Sequence, residues 1–312
     1  MNRIPARLPA NSAVSERIAA AYPRLTAALR QFADFVLAEP LTAARLSVHA
    51  AGHAAGVSVA TSNRFARMLG YAGYPDFRGD LIKSFEPAYE PVRRLSINVR
   101  KLASSADIMR GSLQLDMRNI ETTLRELSDE ACDRAVEMIT RAPRIFVAGG
   151  DNSGHLAMLL ANGLELFCPQ VHTVGNLGGA VAAVRKLIRF GPADLVIAIA
   201  FPRYLRDTIR LAEMASERRV KLIAITDLPS SPLVPLADVT LYARAERQFA
   251  ATSDAAVLAL IEALCAAVAH SAPQATESAK AYTEAALPWL QMPDQGTGPS
   301  LSLRRRKGRG GR

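Results

Sequence analysis

The stretch whose residue types and spacing most clearly suggest chemistry runs from Gly56 to Gly70, G-V-S-V-A-T-S-N-R-F-A-R-M-L-G. Ser58 is a residue type that caps a helix start, and Gly70 one that ends a helix in a left-handed turn. At about 100° per residue, the helix has two distinct faces. Its small and polar face holds Ala60, Asn63, Arg64 and Arg67, and its apolar face holds Phe65, Met68 and Leu69. The stretch is either a DNA-recognition helix or an amphipathic helix with a solvated basic face.

The flanking segments predict a small all-α domain over residues 15–86. The run Ser47–Gly56 has the pattern of a short helix ending in a tight turn, so the order is helix, turn, basic helix, as in a helix-turn-helix. Upstream, a helix over Thr26–Ala38 is expected to stop at Pro40. Downstream, a last helix places Phe77, Leu81 and Phe85 on the side that closes a core. Candidate DNA-contacting residues are Ser58, Ala60, Thr61, Asn63, Arg64, Arg67 and Arg78.

Positive charge is concentrated at the two ends of the chain. The 312 residues carry a net charge of +9, with 13 Lys/Arg against 7 Asp/Glu in residues 1–100 and six Lys/Arg with no acidic residue in 304–312. The long middle is mildly acidic. This distribution suits a polyanion-binding N-terminal domain joined to a domain with another task. Residues 1–14 and the basic tail, 272–312, are expected to be disordered.

Several classes of protein and site are disfavoured. No apolar run is long enough to cross a bilayer, and the N-terminus lacks the apolar segment of a signal peptide. The three cysteines are odd in number and widely spaced, as is typical of reduced cytosolic residues. His49 and His53 form an i, i+4 pair, but a third metal ligand is not evident nearby. We therefore expect a cytoplasmic protein with no membrane partner, metal or cofactor.

Beyond residue 143 the pattern changes to strands alternating with helices. The strands are R-I-F-V-A-G-G, Q-V-H-T-V, D-L-V-I-A-I-A, V-K-L-I-A-I-T-D and V-T-L-Y-A. Near-continuous apolar strands between helices predict an α/β doubly wound, five-stranded parallel sheet over residues 143–271. Residues 87–142 are expected to form an extended linker at E-P-A-Y-E-P followed by bracing helices. The predicted fold class is thus α plus α/β, in two domains.

Ligands of such sheets bind beyond the carboxyl ends of the strands. Here those ends are Gly149–Ser153, Ala200–Leu205 and Thr226–Ser231. Arg203 and Arg206 can hold a phosphate or a carboxylate through paired hydrogen bonds. Asp151 would repel a phosphate unless it pairs with an arginine. The pattern indicates a small-anion site, with surface or interface arginines beside an unused pocket as the alternative.

The N-terminal region resembles the DNA-binding domain of the RpiR/MurR family of bacterial transcription regulators. The resemblance is carried by L-T-A-A-L-R-Q-F-A-D-F-V-L-A-E-P and by A-G-V-S-V-A-T-S-N-R-F-A-R-M-L-G-Y-A-G-Y-P-D-F-R. This chain departs from it at Ala51 and Gly52, where the family usually has a larger apolar residue followed by Ala. The resemblance implies double-stranded operator DNA as a partner.

The second half resembles the sugar-isomerase (SIS) domain, which the same family carries after its DNA-binding domain. This likeness implies a phosphosugar-binding fold that commonly dimerises, so we expect a homodimer or homotetramer. The family's first loop, G-x-G-x-S, is G-G-D-N-S here, with Asp151 at the second glycine. Its Ser/Thr–Gly cluster after the third strand is replaced by A-F-P-R-Y-L-R-D-T. Candidate ligand-binding residues are Gly149, Asn152, Ser153, Arg203 and Thr226.

The favoured function is a DNA-binding transcription regulator without enzymatic activity, controlled by a phosphosugar or another small anionic metabolite. One alternative is a sugar-phosphate isomerase with an added DNA-binding domain, for which His155 and Glu165 are the candidate bases. Another is a ligand-independent architectural DNA-binding protein, which the basic tail and the altered pocket loops favour.

Overall fold

The computed structural model describes Leu8 and residues 12–99, 103–174 and 178–290. Most of the segment 1–14 and the end of the basic tail, 291–312, therefore lie outside the described residues. Within the expected disordered segment, Leu8 is buried and a helix already begins at Ala13, because the Ser12 hydroxyl accepts a hydrogen bond from Ser15 N and caps it.

The N-terminal domain is a cluster of short helices. They are α1 (Ala13–Ala21), α2 (Ala27–Ala38), α3 (Pro40–Arg45), α4 (Val48–Ala54), α5 (Val59–Met68) and α6 (Tyr74–Lys83). Their core is built on aromatic rings, with the centroid of Phe65 at 5.2 Å from Phe32 and 5.6 Å from Phe77. All three rings are fully buried, so α5 is fixed to α2 and α6 by edge-to-face packing.

Three helices connect this domain to the sheet: α7 (Glu86–Asn98), α8 (Ser105–Glu126) and α9 (Asp129–Arg141). The expected extended linker at E-P-A-Y-E-P is wrong, since this segment opens α7. A proline lies in the first turn of α7, where its missing N–H has no helical partner to lose and its fixed φ suits a helix.

The second domain is the predicted five-stranded parallel sheet. Its strands are β1 (Ile145–Ala148), β2 (Val171–Thr173), β3 (Leu195–Ile199), β4 (Lys221–Thr226) and β5 (Val239–Tyr242), in the order β2-β1-β3-β4-β5. Its helices are α10 (Asn152–Glu165), α11 (Ala180–Leu187), α12 (Arg206–Glu217) and α13 (Ala255–Ser271). One core packs α9, α10 and α13 on one face of the sheet, and a second packs α11 and α12 on the other. The doubly wound α/β prediction is confirmed.

Two further expectations are corrected. Pro40 ends α2 as expected, but it also begins α3, because proline is well suited to the first helical position. Part of the tail expected to be disordered forms α14 (Ala275–Ala286), whose sequence A-T-E-S-A-K-A-Y-T-E-A-A is rich in strong helix formers. Lys280 and Glu284 add an i, i+4 ion pair of 3.9 Å.

Among the described residues, no single helix combines the length and apolarity needed to cross a bilayer. Only α13 together with Ala275–Trp289 passes that test, as a pair bent by 111°, and α13 contributes six residues to the core.

Candidate DNA-binding helix and ligand cavity

The helix that the sequence predicts between Ser58 and Gly70 is present as α5, and both of its ends are capped as expected. Ser58 Oγ accepts a hydrogen bond from Thr61 N at 3.1 Å and lies 2.9 Å from Thr61 Oγ1, so both hydroxyls serve the helix start. Gly56 and Gly70 take the left-handed φ values of +68° and +87° that end α4 and α5. The tight turn between α4 and α5 is the helix-turn-helix geometry.

The buried face of α5 is rotated from the one predicted. It is formed by Ser62, Phe65, Ala66 and Leu69, at i, i+3, i+4 and i+7. Met68, expected on the apolar face, is 43% exposed, because this spacing turns it toward solvent. Ala60, Arg64 and Arg67 are exposed, so the basic face is presented as predicted.

Besides Ser58 and Thr61, three more of the predicted DNA-contacting residues make hydrogen bonds within the protein. Asn63 Oδ1 accepts from Tyr74 N at 3.1 Å, which caps the first turn of α6. Arg67 Nε donates weakly to Ala72 O at 3.4 Å. Arg78 is half-buried, lines a groove between α3 and α7 and donates to Leu46 O at 3.5 Å. Arg64 is exposed and has no protein partner among the described residues.

One supporting residue was missed by sequence reasoning. Arg17 of α1 donates from Nη1 to Leu69 O at 3.4 Å, and its guanidinium carbon lies 4.6 Å from the ring centroid of Tyr71. A cation at the carboxyl end of a helix is stabilising, so Arg17 supports the end of α5. Spacing along the chain carries no signal for this contact, because 52 residues separate the two partners.

The carboxyl ends of the strands enclose a cavity of about 260 Å³. It is lined by Gly150, Asp151, Asn152, Ser153, Ile199, Ala200, Phe201, Pro202, Arg203, Leu205, Thr208, Ala251 and Thr252. The structure therefore brings together three predicted ligand residues: Asn152, Ser153 and Arg203. The lining includes the N-terminus of α10, which carries a partial positive charge and has no side-chain cap.

Two predicted ligand residues do not line the cavity. Thr226 is fully buried, and its hydroxyl lies 2.7 Å from Ala200 O and 2.7 Å from Ser231 Oγ, so it ties β4 to the loop after β3. Gly149 packs so closely on α10 that an added Cβ would overlap the backbone oxygen of Ser153. Both corrections place these residues in the framework around the cavity, because their contacts are internal.

The loop after β3 is held by a partly buried hydrogen bond. Tyr204 OH donates to Asp227 Oδ1 at 2.7 Å, and the pKa of Tyr204 is raised by burial and by this bond. Tyr204 therefore stays protonated and fixes the loop that presents Arg203. Arg203 and Asp151 both have left-handed backbone angles, with φ of 65° and 54°. Such strained positions of non-glycine residues are concentrated at functional sites.

Thr208, in the first turn of α12, is a cavity residue that the sequence did not reveal. It is only 2% exposed and lines the cavity, yet its hydroxyl has no hydrogen-bond partner in the described part of the chain. The available signal was its position directly after A-F-P-R-Y-L-R-D, at the start of a helix. The candidate bases His155 and Glu165 are exposed, and neither lines the cavity.

Within the described ranges, no group of three or more His, Cys, Asp or Glu side chains could hold a metal ion. The three cysteines are free thiols. Burial raises the pKa of Cys168 and of Cys265 to about 11, so both are protonated and weakly nucleophilic at neutral pH.

Comparison with known families divides the chain in the same way as the structure. Residues 12–88 match the helix-turn-helix domain of the rpiR family, and residues 138–268 match the SIS domain. The chain is 27% identical over 212 residues to the HTH-type transcriptional regulator HexR of Escherichia coli (strain K12), which covers 68% of this chain and 71% of HexR.

Two solved structures are similar to this one. The sugar isomerase domain of the RpiR transcription factor from Sphaerobacter thermophilus has a TM-score of 0.53 at 29% identity, covering 57% of this chain and 98% of that domain. The NanR protein of Vibrio vulnificus, complexed with ManNAc-6P, has a TM-score of 0.54 at 21% identity, over 90% of this chain and all of NanR; that likeness shows the fold alone. The chain therefore belongs to the RpiR family of HTH-type transcription regulators with a C-terminal SIS domain.

Proposed function

We propose that this regulator places α5 in the major groove of an operator and that a small anionic metabolite in the cavity controls its DNA affinity. The observation that carries the proposal is the exposed face of α5, where Arg64 has no partner among the described residues while Phe65 anchors the helix in the core. An exposed guanidinium on a rigidly held helix is suited to bind guanine edges or phosphates.

A helix-turn-helix reads two half-sites when the protein is a symmetric dimer. An exposed face of α8 supports such a dimer. It carries an apolar row of residues that are 39% to 71% exposed, Met109, Leu113, Met117, Ile120 and Leu124. This set is hereafter the α8 row. Its spacing of three and four residues keeps it on one side of the helix.

The other side of α8 contacts its own chain through polar groups. Asn119 Nδ2 donates to Glu246 O at 2.9 Å, and Ser253 Oγ donates to Asp116 Oδ1. A helix that turns polar groups inward and large apolar groups outward is stabilised by a further apolar surface. We assign that surface to α8 of a second copy, in a two-fold homodimer.

The cavity supports the ligand part of the proposal. The uncapped start of α10 and the guanidinium of Arg203 are both groups that favour an anion. The SIS likeness and the complex of NanR with ManNAc-6P make phosphosugars one class to test.

The loop between β5 and α13 offers a route from ligand to DNA. Ala251 and Thr252 line the cavity, while Gln248 O accepts a hydrogen bond of 3.1 Å from Asn98 Nδ2 of α7. The same loop holds α8 through Glu246 O. A ligand that displaces this loop acts at once on the helix leading from the DNA-binding domain and on the proposed dimer helix. Such coupling typically changes affinity by about 5- to 150-fold.

Placement of the candidate bases gives the isomerase alternative no support, because both His155 and Glu165 lie outside the cavity. Asp151 is the one carboxylate among the described residues of its lining. We therefore propose that the cavity binds its ligand without turning it over. Turnover of an aldose or ketose phosphate by the purified protein would contradict this.

The proposal is tested by fluorescence anisotropy with the protein's own upstream DNA and a scrambled competitor. Arg64→Ala and Arg67→Ala should each weaken specific binding by about tenfold or more, the usual loss for a base-contacting arginine. Arg210→Ala, which removes an exposed arginine from α12, is the matched control. Unchanged specific binding in both α5 variants would refute the recognition-helix assignment, and DNA binding indifferent to every ligand would favour an architectural protein.

A further inference from the structure

The cavity is lined by polar side chains that the protein itself leaves unbonded. Asp151, Ser153, Arg203 and Thr208 have no side-chain hydrogen bond or ion pair with any described residue. Thr208 is the most informative of the four, because it is 2% exposed and open only to the cavity. Its hydroxyl has no partner among the described residues and is accessible from the cavity, so a bound molecule can exchange a hydrogen bond with it.

The charged groups that line the cavity indicate which net charge a bound molecule should carry. Arg203 contributes one positive charge and Asp151 one negative charge, and the start of α10 adds about half a positive charge. A further carboxylate, Asp227, lies behind the loop in contact with Tyr204. The lining thus carries a net charge of about +0.5, which favours a monoanion over a dianion. A phosphate monoester carries a charge of about −1.5 to −2 at neutral pH and would face uncompensated repulsion from Asp151.

We propose that the effector is an unphosphorylated sugar acid, a polyhydroxy monocarboxylate. The inference rests on the proposed ligand control of this cavity and narrows its ligand class. The carboxylate binds Arg203 and the start of α10, a pairing suited to planar two-point hydrogen bonding. The ligand hydroxyls donate to Asp151 and exchange hydrogen bonds with Ser153 and Thr208. A cavity of about 260 Å³ is large enough for a metabolite of this size.

The test is isothermal titration calorimetry on the full chain with D-gluconate, D-glucuronate, glucose 6-phosphate and glucosamine 6-phosphate. We expect one of the two acids to bind more tightly than either phosphate. Thr208→Val, which keeps the shape and removes the hydroxyl, should weaken acid binding about fivefold. Asp151→Asn should weaken acid binding and strengthen glucose 6-phosphate binding by about tenfold, since it removes the repelling charge.

Arg206→Gln is the matched control for Arg203→Gln, because Arg206 begins α12 three residues later in the chain but does not line the cavity. Acid binding should be lost in Arg203→Gln and retained in Arg206→Gln. Tighter binding of either phosphate by the wild type, with loss in Arg203→Gln, would overturn the sugar-acid inference and leave ligand control standing. Binding of none of the four compounds, with DNA affinity unchanged by all of them, would overturn both.

Discussion

The α8 row makes a quantitative prediction about the dimer. Its five side chains together expose the equivalent of about three whole apolar side chains, and burying each is worth about 2 kcal/mol. The row thus contributes on the order of 6 kcal/mol per protomer and about 12 kcal/mol in a symmetric pair. The loss of translational and rotational freedom on association costs roughly 4–15 kcal/mol. The net free energy of dimerisation is therefore small, and a modest loss of apolar contact should dissociate the dimer.

Leu113→Glu should therefore dissociate the dimer. Leu113 is 63% exposed, so its loss removes about 1.3 kcal/mol of apolar burial from each protomer, and the two-fold axis doubles this. Two carboxylates would also be brought out of water into the contact, at about 1–3 kcal/mol each. We expect the dissociation constant of the dimer to rise by about 1,000-fold or more.

Sedimentation velocity over a concentration series measures this directly, with circular dichroism to verify folding. Gln114→Glu is the matched control, because it adds the same charge about 100° away on the exposed polar side of α8. If Leu113→Glu sediments as a dimer with the wild-type dissociation constant, α8 is not the interface. If the wild type is a monomer across the series, the proposed dimer is wrong.

Two further predictions concern stability. Asn63→Ala removes the acceptor for Tyr74 N and should lower the free energy of unfolding by about 1 kcal/mol in urea titrations. Asn63→Asp keeps that acceptor and should not lower it. Equal losses in both variants would contradict the capping role. Burial alone would raise the pKa of Asp194. The hydrogen bonds from Arg144 and Gly191 N have the larger combined effect, so the pKa is lowered overall. This carboxylate should stabilise the fold above about pH 4 and lose that effect as pH falls. In thermal melting, Asp194→Asn should therefore lose less stability between neutral and acidic pH than the wild type. The same loss of stability in both proteins would refute this.

The elements that the sequence predicted well are those specified by adjacent residues. Ser58 and Gly70 bound α5 through local caps. The apolar strands of the sheet were recognisable for the same reason. The α7 error arose because prolines were taken as breakers, although one in the first turn of a helix is favourable.

The parts of the site that were not predictable depend on contacts between distant segments. Asn63 has the residue type of a base reader, but its carbonyl oxygen is used by Tyr74, eleven residues later. Thr226 has the residue type of a phosphate ligand, but β3 and its loop bury it completely. Thr208 becomes informative only when burial shows that its hydroxyl faces the cavity without a partner.

The backbone of the cavity has a consequence for protein engineering. Asp151 and Arg203 hold φ values of 54° and 65°, which glycine adopts freely and which cost other residues about 1 to 3 kcal/mol each. Selection for thermal stability alone would thus favour glycine at both positions, and with it the loss of both charged groups of the cavity. Thermostability and effector response are in conflict at these two residues, so a library intended for a robust biosensor should hold them constant and vary other positions.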